Sequence, residues 1–416
     1  MEEHNPWWRS EKDYTYEEFL KQPIRWIPPF LQEIRIDRFG LYFLVGPRQI
    51  GKTTALKIFI HDLLNKGVKP EAIFYYACDR LTTHEELYNI LVQYLEWRNM
   101  KGINKSIIIL DEITFVKEWY RSIKSLIDLG RVKNDTIIIT GSTSFEVLKE
   151  KERFPGRRGE GKDLLYLPLQ FSDYAKLFSK EITVNDFQVE DESYLINLPF
   201  KEKLDRLFIQ YLNTGGILKV INEYYKRGRV PPDTLKTYID WIVGDLIRMG
   251  MNERYFKEVS RYVIETKGTP ISWLSISKNT SIKSPHTAHS YVQFMTQLYL
   301  INVYEYIGLD GKAIPRKNKK IHPIDPFFYR LLSEYSQSEI DTAAMVEGVV
   351  SSHFSRKYPT YYWKGRGELD IVIKANKTLY GYEVKWGPKN WKKPRGIKSY
   401  LLDRDNIPLF LGSYRF

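Results

Sequence analysis

The chain holds a single cysteine, Cys78, among 416 residues. One thiol forms no intrachain disulfide and builds no cysteine-rich zinc site. Long apolar runs are missing as well, since no stretch reaches the roughly 18 consecutive apolar residues of a membrane span. No membrane partner is therefore expected. The opening "MEEHNPWWRSEKDYTYEEF" is polar and aromatic. It lacks the apolar segment of a secretory signal, which makes the cytoplasm the expected compartment. Neither an internal repeat nor a low-complexity linker interrupts the sequence. Acidic residues are in deficit, 51 against 63 Lys and Arg, for a net charge of +12. That excess favours an anionic partner, nucleic acid being the commonest, although charge alone leaves a merely basic protein open. What is present is a folded-protein composition, 43% hydrophobic and 27% charged, in a chain long enough for two to four domains.

The first half alternates apolar runs with helical patterns. "LYFLVG", "AIFYYAC", "SIIILDE", "TIIITGS" and "LLYLPL" read as strands buried on both faces, hence a parallel sheet covered by helices. The class is α/β, with right-handed crossovers expected. Residues 1–170 form this expected core. From 171 to 250 amphipathic helical patterns take over, interrupted at Gly215-Gly216, and read as a helical lid. Residues 251–325 run helix, short helix, turn, longer helix and strand pair, the order of a winged helix-turn-helix. Residues 326–416 carry two helical stretches and then strands rich in Tyr, Val and Ile, a small α/β domain.

"VGPRQIGKT" follows the first strand and opens a helix, and Gly46 to Thr53 fit G-x-x-x-x-G-K-[ST]. That spacing wraps backbone N–H groups around a polyphosphate, so Gly46, Pro47, Arg48, Gln49, Ile50, Gly51, Lys52, Thr53 and Thr54 are the expected nucleotide-binding residues. Lys52 would reach the β- and γ-phosphates, and Thr53 would offer its hydroxyl to Mg²⁺. "SIIILDE" ends a strand at the same sheet edge with Asp111, a candidate Mg²⁺ ligand, and Glu112, a candidate for polarising the attacking water. "TIIITGS" offers Thr140 and Ser142 to orient water or sense the γ-phosphate. Downstream, "RFPGRRG" supplies Arg153, Arg157 and Arg158, with Arg157 the candidate for touching a phosphate, in cis or in a neighbouring copy of a homo-oligomer. Trp26 could pack against adenine.

With "GPRQIGKTT", "IIILDEI" and "IIITGS" followed by "PGRRG" and "LPLQFSDY", the chain resembles prokaryotic P-loop ATPases of the AAA+ superfamily, in their archaeal branch. The resemblance spans roughly residues 24 to 390 and implies a P-loop core, a helical lid, a winged helix and a C-terminal domain similar to restriction endonucleases. It also implies ATP and Mg²⁺ as cofactors, ATP/ADP exchange, and DNA as the target.

In the third segment Lys283 and His286 flank the expected recognition helix. "GKAIPRKNKKIH" adds a wing whose Lys312, Arg316, Lys317, Lys319 and Lys320 suit counterion release from a phosphate backbone. His286 and His289 lack the third ligand a metal site needs. In "GRGELDIVIKANKTLYGYEVKWG" the spacing of Asp370, Glu383 and Lys385 resembles the PD-(D/E)xK nuclease core, and Glu347 stands upstream on a helix in the required order. Leu369 takes the place of that pattern's proline. Tyr400 is expected from a later helix, and Glu368 is expected to stand outside the centre. Three functions stay open at this point: an ATPase that binds nucleic acid, an ATP-gated metal-dependent DNA endonuclease, and a nucleotide-dependent protein-interaction switch.

Overall fold

The computed structural model describes residues 1–416 apart from 142–146, 148–149, 151–152, 366 and 389. The chain divides into two compact units, Met1–Leu167 and Pro168–Phe416.

In the first unit, β1 (Gly40–Val45), β2 (Ile73–Ala77), β3 (Ile107–Asp111), β4 (Thr136–Thr140) and β5 (Asp163–Leu165) form one sheet in the order β2-β3-β4-β1-β5. Every pairing in it is parallel. The four longer strands coincide with the continuous apolar runs. Leu41, Phe43, Ile108, Leu110 and Ile139 pack into a core with Leu87, Leu91 and Tyr94 of one helix and Ile123 and Leu126 of another. Their alternates Tyr42, Leu44, Ile109 and Ile138 are equally buried, which is why these strands show no polar alternation. Its helices include α1 (Tyr14–Leu20), α2 (Lys52–Asn65), α3 (His84–Met100) and α4 (Tyr120–Asp128).

Strand β2 lies at the sheet edge, and the aromatic N-terminus covers it. Asn5 pairs with the backbone of Tyr75 as a strand residue would: its Oδ1 accepts from the Tyr75 N–H at 2.7 Å, and its Nδ2 donates to the Tyr75 carbonyl at 3.0 Å. The indole N–H groups of Trp7 and Trp8 both donate to the Ile73 carbonyl. An edge strand that would otherwise expose unpaired backbone is satisfied by side chains.

In the second unit the helical texture of residues 171–250 becomes α5 (Phe171–Phe178), α6 (Lys201–Thr214), α7 (Leu218–Arg227) and α8 (Pro232–Arg248). The break at Gly215-Gly216 has a physical cause. Gly215 has φ +66°, and a Cβ there would lie 1.9 Å from Asp325 Oδ1. The Gly216 N–H donates to Asp325 Oδ2 at 2.9 Å. Next come α9 (Glu253–Glu265), α10 (Trp273–Lys278) and α11 (Pro285–Gln297), then β7 (Ile301–Tyr306) and β8 (Lys320–Pro323). The short β6 (Asn185–Asp186) pairs with β13 (Tyr414–Arg415).

The remaining elements are α12 (Pro326–Ser336), α13 (Thr342–Ser355), β9 (Thr360–Lys364), β10 (Glu368–Ala375), β11 (Thr378–Lys385), β12 (Lys398–Asp403) and α14 (Ile407–Ser413). β7 and β8 continue the sheet of β9 to β12, in the order β12-β11-β10-β9-β7-β8, so the sheet crosses residue 325 without a break. Among the described residues no helix is long and apolar enough to cross a membrane.

His353 in α13 ties the unit together. Its Nε2 accepts from the Phe171 N–H at 2.8 Å, and its Nδ1 lies 2.7 Å from the Val349 carbonyl, which fixes the proton on Nδ1. Burial pushes its pKa down to about 3, with the Arg356 charge adding to the effect. The unfolded chain therefore takes up this proton first. The contribution of His353 is fully present above about pH 6.5 and is lost as pH falls toward 3. The limiting slope is about 1.4 kcal/mol per pH unit. Denaturation midpoints compared between wild type and His353→Gln from pH 7 to pH 4 should show a steeper acid loss in the wild type. Parallel profiles would contradict this reading.

Candidate active site

The loop after β1 takes the shape that its glycines allow. Gly46 has φ +155°, and a Cβ on it would meet the Tyr166 carbonyl oxygen at 2.0 Å. Gln49 and Gly51 also have positive φ, +56° and +105°. Pro47 and Ile50 are buried, while Gln49 is exposed. Gly51 caps α2 without a side-chain hydrogen bond, which leaves the first-turn amides, from Lys52 through Thr54, facing the loop. Lys52 is 7% exposed and turns back into the loop. Its Nζ donates to the carbonyls of Gly46 at 3.1 Å and Pro47 at 3.0 Å. A buried ammonium held by two carbonyl oxygens, beside a row of amides, is a site prepared for anionic oxygens.

Asp111 ends β3 and is 2% exposed. Its Oδ2 accepts from Thr53 Oγ1 at 2.7 Å and from the Tyr75 hydroxyl at 2.8 Å. Thr53 and Asp111, 58 positions apart, thus meet at the mouth of the loop. A hydroxyl and a carboxylate are hard oxygen donors of the kind Mg²⁺ takes, so this pair fits that ion. Glu112 follows in the left-handed region at φ +55°, which turns the chain away from the strand and into a short 3₁₀ turn.

Tyr75 was not singled out in the sequence. Burial, reinforced by the Asp111 charge, pushes its phenol well above the usual range and keeps it a donor. Beneath its ring lies the Lys57 ammonium, 3.6 Å from the centroid, which is paired with Asp13 at 3.1 Å. Burial lowers the Lys57 pKa while Asp13 opposes that fall. The available signal was positional: Tyr75 lies in the strand beside β3, in the register that puts Ala77 opposite Asp111.

Thr140 ends β4 fully buried, and its Oγ1 makes no hydrogen bond among the described residues. Ser142 lies outside the described residues. Arg157 lies along Asp128 at the end of α4, with Nε to Oδ1 at 2.6 Å. Arg158 pairs with Asp163 at 2.8 Å and Arg153 pairs with Glu150. Trp26 reaches Tyr166, ring centroids 6.0 Å apart, and the Tyr166 hydroxyl would be 3.6 Å from a Cβ on Gly51.

The family comparison falls on this loop, its helix and the acidic strand. Residues 38–175 match the AAA domain family. Over these residues the chain is similar to AAA-type ATPase domains. No curated protein matches the chain in sequence. Among solved structures, the Walker-type ATPase of Pyrococcus abyssi is similar at 16% identity and TM-score 0.46, over 73% of this chain and 93% of that one. The ORC2 protein of Aeropyrum pernix aligns at 12% identity and TM-score 0.38, over 75% and 96%. The RuvB Holliday junction branch migration motor of Thermotoga maritima aligns at 12% and 0.32, over 75% and 91%.

In the second unit, the five basic wing positions divide. Lys312, Arg316 and Lys317 are exposed, as are Lys283 and His286 around α11. Lys319 is buried and donates to the carbonyls of Pro315 and Lys317 at 2.6 and 2.8 Å. Lys320 is buried among carboxylates, which corrects its expected place on a solvated wing. Glu347 and Asp370 converge on its ammonium, and Glu383 Oε1 pairs with Lys385 Nζ at 2.6 Å. Burial and the neighbouring Asp370 push the Glu383 carboxyl up to about 7.

Two expectations are overturned here. Glu368 does join the cluster, 3.3 Å from Lys320 Nζ, because residues two apart on a strand share a face and it therefore accompanies Asp370. Tyr400 sits on strand β12 rather than on a helix, and its hydroxyl donates to Glu190 at 3.1 Å. Among the described residues no three His, Cys, Asp or Glu side chains form a group suited to a metal ion.

Proposed function

We propose that this chain is a cytoplasmic, Mg²⁺-dependent ATPase that binds DNA through its C-terminal unit. The observation that carries the reading is the meeting of Lys52, Thr53 and Asp111 at one loop: a buried ammonium, a hydroxyl and a carboxylate where a polyphosphate would lie. Thr53 and Asp111 would hold Mg²⁺, which when bound offsets charge on the β- and γ-phosphates. Lys52 exchanges its two carbonyl partners for phosphate oxygens. Glu112 accepts the proton of the attacking water, and Thr140 and Ser142 hold that water in line. Tyr75 and Thr53 together fix the Asp111 carboxylate, so that it meets the ion without reorganising. Arg157 would contact a phosphate only after leaving Asp128, in cis or toward a second copy of the chain.

Support for DNA comes from charge. The net +12 and the exposed Lys312, Arg316, Lys317, Lys283 and His286 suit a phosphate backbone, with a winged helix as the docking element. The test measures ATP turnover with and without duplex DNA, and DNA affinity across a salt series, in wild type and in Arg316→Ala/Lys317→Ala. Wild type should bind with a salt-dependent affinity, and the double variant should lose about 1.8 from the slope of log K against log salt. Unchanged affinity and slope would remove the wing from the interface. DNA without effect on either turnover or affinity would favour the protein-interaction switch.

The endonuclease reading is weaker, because two of the acids it needs, Glu347 and Asp370, are already paired with the Lys320 ammonium.

A further inference from the structure

Lys320 opens β8, directly after the exposed loop bearing Arg316 and Lys317. Its side chain is 2% exposed. Its Nζ lies 2.6 Å from Asp370 Oδ1, 2.8 Å from Glu347 Oε1 and 3.3 Å from Glu368 Oε1. Three elements deliver these groups: β8 the ammonium, α13 Glu347, and β10 both Glu368 and Asp370. His322, two residues along β8, places Nε2 3.1 Å from the same Glu347 oxygen and Nδ1 2.7 Å from the Tyr329 hydroxyl. Asp370 Oδ2 accepts from the Val384 N–H at 2.9 Å.

A buried ammonium needs acceptors around it, and gathered carboxylates need a cation in turn. The pKa directions agree with that exchange. Burial works against the Lys320 charge, yet Glu347 and Asp370 raise its pKa well above the ordinary value. Burial likewise opposes ionisation of Glu347, and Lys320 with His322 more than reverses it. One oxygen of the cluster is left over: Glu383 Oε2 is buried and makes no hydrogen bond among the described residues.

A divalent ion would draw on the oxygens that Lys320 now holds, Glu347 Oε1 and Asp370 Oδ1, at roughly 2.0–2.6 Å rather than at hydrogen-bond distance. Two cations at one point repel strongly in a low-dielectric interior. We infer that Lys320 is the resident cation of this acid cluster, standing where a divalent metal ion would otherwise bind, so that Glu347, Glu368 and Asp370 form a metal site only once its ammonium is removed. The inference is independent of the ATPase reading, since every group involved belongs to the C-terminal unit.

The test titrates the nucleotide-free full chain with Mn²⁺ and reads free Mn²⁺ by electron paramagnetic resonance. Wild type and Asp370→Asn should give superimposable curves. Lys320→Met should bind one further equivalent of Mn²⁺ per chain, and Lys320→Met/Asp370→Asn should lose it again. Lys320→Arg, which keeps a cation, should behave as wild type. The inference is overturned if wild type binds Mn²⁺ in a manner that Asp370→Asn abolishes, or if folded Lys320→Met gains none. Should Lys320→Met fail to fold, the wild-type and Asp370→Asn pair decides alone: coincident curves support the resident lysine, and loss of an ion in Asp370→Asn contradicts it.

Discussion

Lys52→Ala should lower ATP turnover by about 10²–10³-fold, the usual effect of deleting one preorganised charge from the oxygens that gain charge in a transition state. The geometry makes the effect specific to this side chain. Lys52 is 7% exposed and anchored to the loop it serves, so its ammonium is already desolvated and placed before nucleotide arrives. Truncation leaves the carbonyls of Gly46 and Pro47 without that donor and removes the ammonium proposed to exchange them for phosphate oxygens. The fold should survive, because the glycine geometry and the β1–β4 pairing do not involve the ammonium. Circular dichroism identical to wild type, alongside absent phosphate release, is the expected pair of results.

The largest stability effect should come from Arg98→Ala. Arg98 in α3 forms a two-pronged pair with Asp135, with Nη1 to Oδ1 at 2.5 Å and Nη2 to Oδ2 at 2.9 Å. Asp135 is fully buried, Arg98 is 4% exposed, and the Ser106 N–H donates to the same Asp135 oxygen at 2.7 Å. Removing the guanidinium strands a buried carboxylate beside the start of β4, so the N-terminal unit should lose about 3–5 kcal/mol. Denaturant unfolding checks the figure. Arg98→Met combined with Asp135→Leu should cost much less than the sum of the two single changes, because it leaves no charge unpaired. A loss below about 1 kcal/mol for Arg98→Ala, the scale of exposed pairs, would show that water reaches this site.

How far the sequence foretold these features depends on the range of the interaction. The parallel sheet was legible because strands buried on both faces leave continuous apolar runs, and "IIILDE" carries its carboxylates at the strand end by simple continuation. The phosphate loop was legible because its glycines, lysine and threonine are contiguous. What stayed hidden were partnerships between distant segments. Nothing local in "AIFYYAC" says that the first tyrosine of its pair turns toward Asp111, or that Asn5 pairs with that tyrosine's backbone. "RKNKKIH" reads as a uniform basic surface, yet β8 begins within it. Strand entry turns Lys320 inward, a backbone bridge to Ile271 holds Lys319, and Arg316 and Lys317 stay outside. A charge run reports composition, and only the pairing of β7 with β9 and β8 assigns each lysine a side.

ATP hydrolysis that depends on Lys52 is the most direct expectation for this chain. Phosphate release from ATP should be measured on the full chain with Mg²⁺, with Mg²⁺ removed by chelation, and on Lys52→Ala under the same conditions. Turnover is expected in the first case and turnover reduced to background in the other two. Equal turnover by wild type and Lys52→Ala, or turnover indifferent to Mg²⁺, would contradict this expectation.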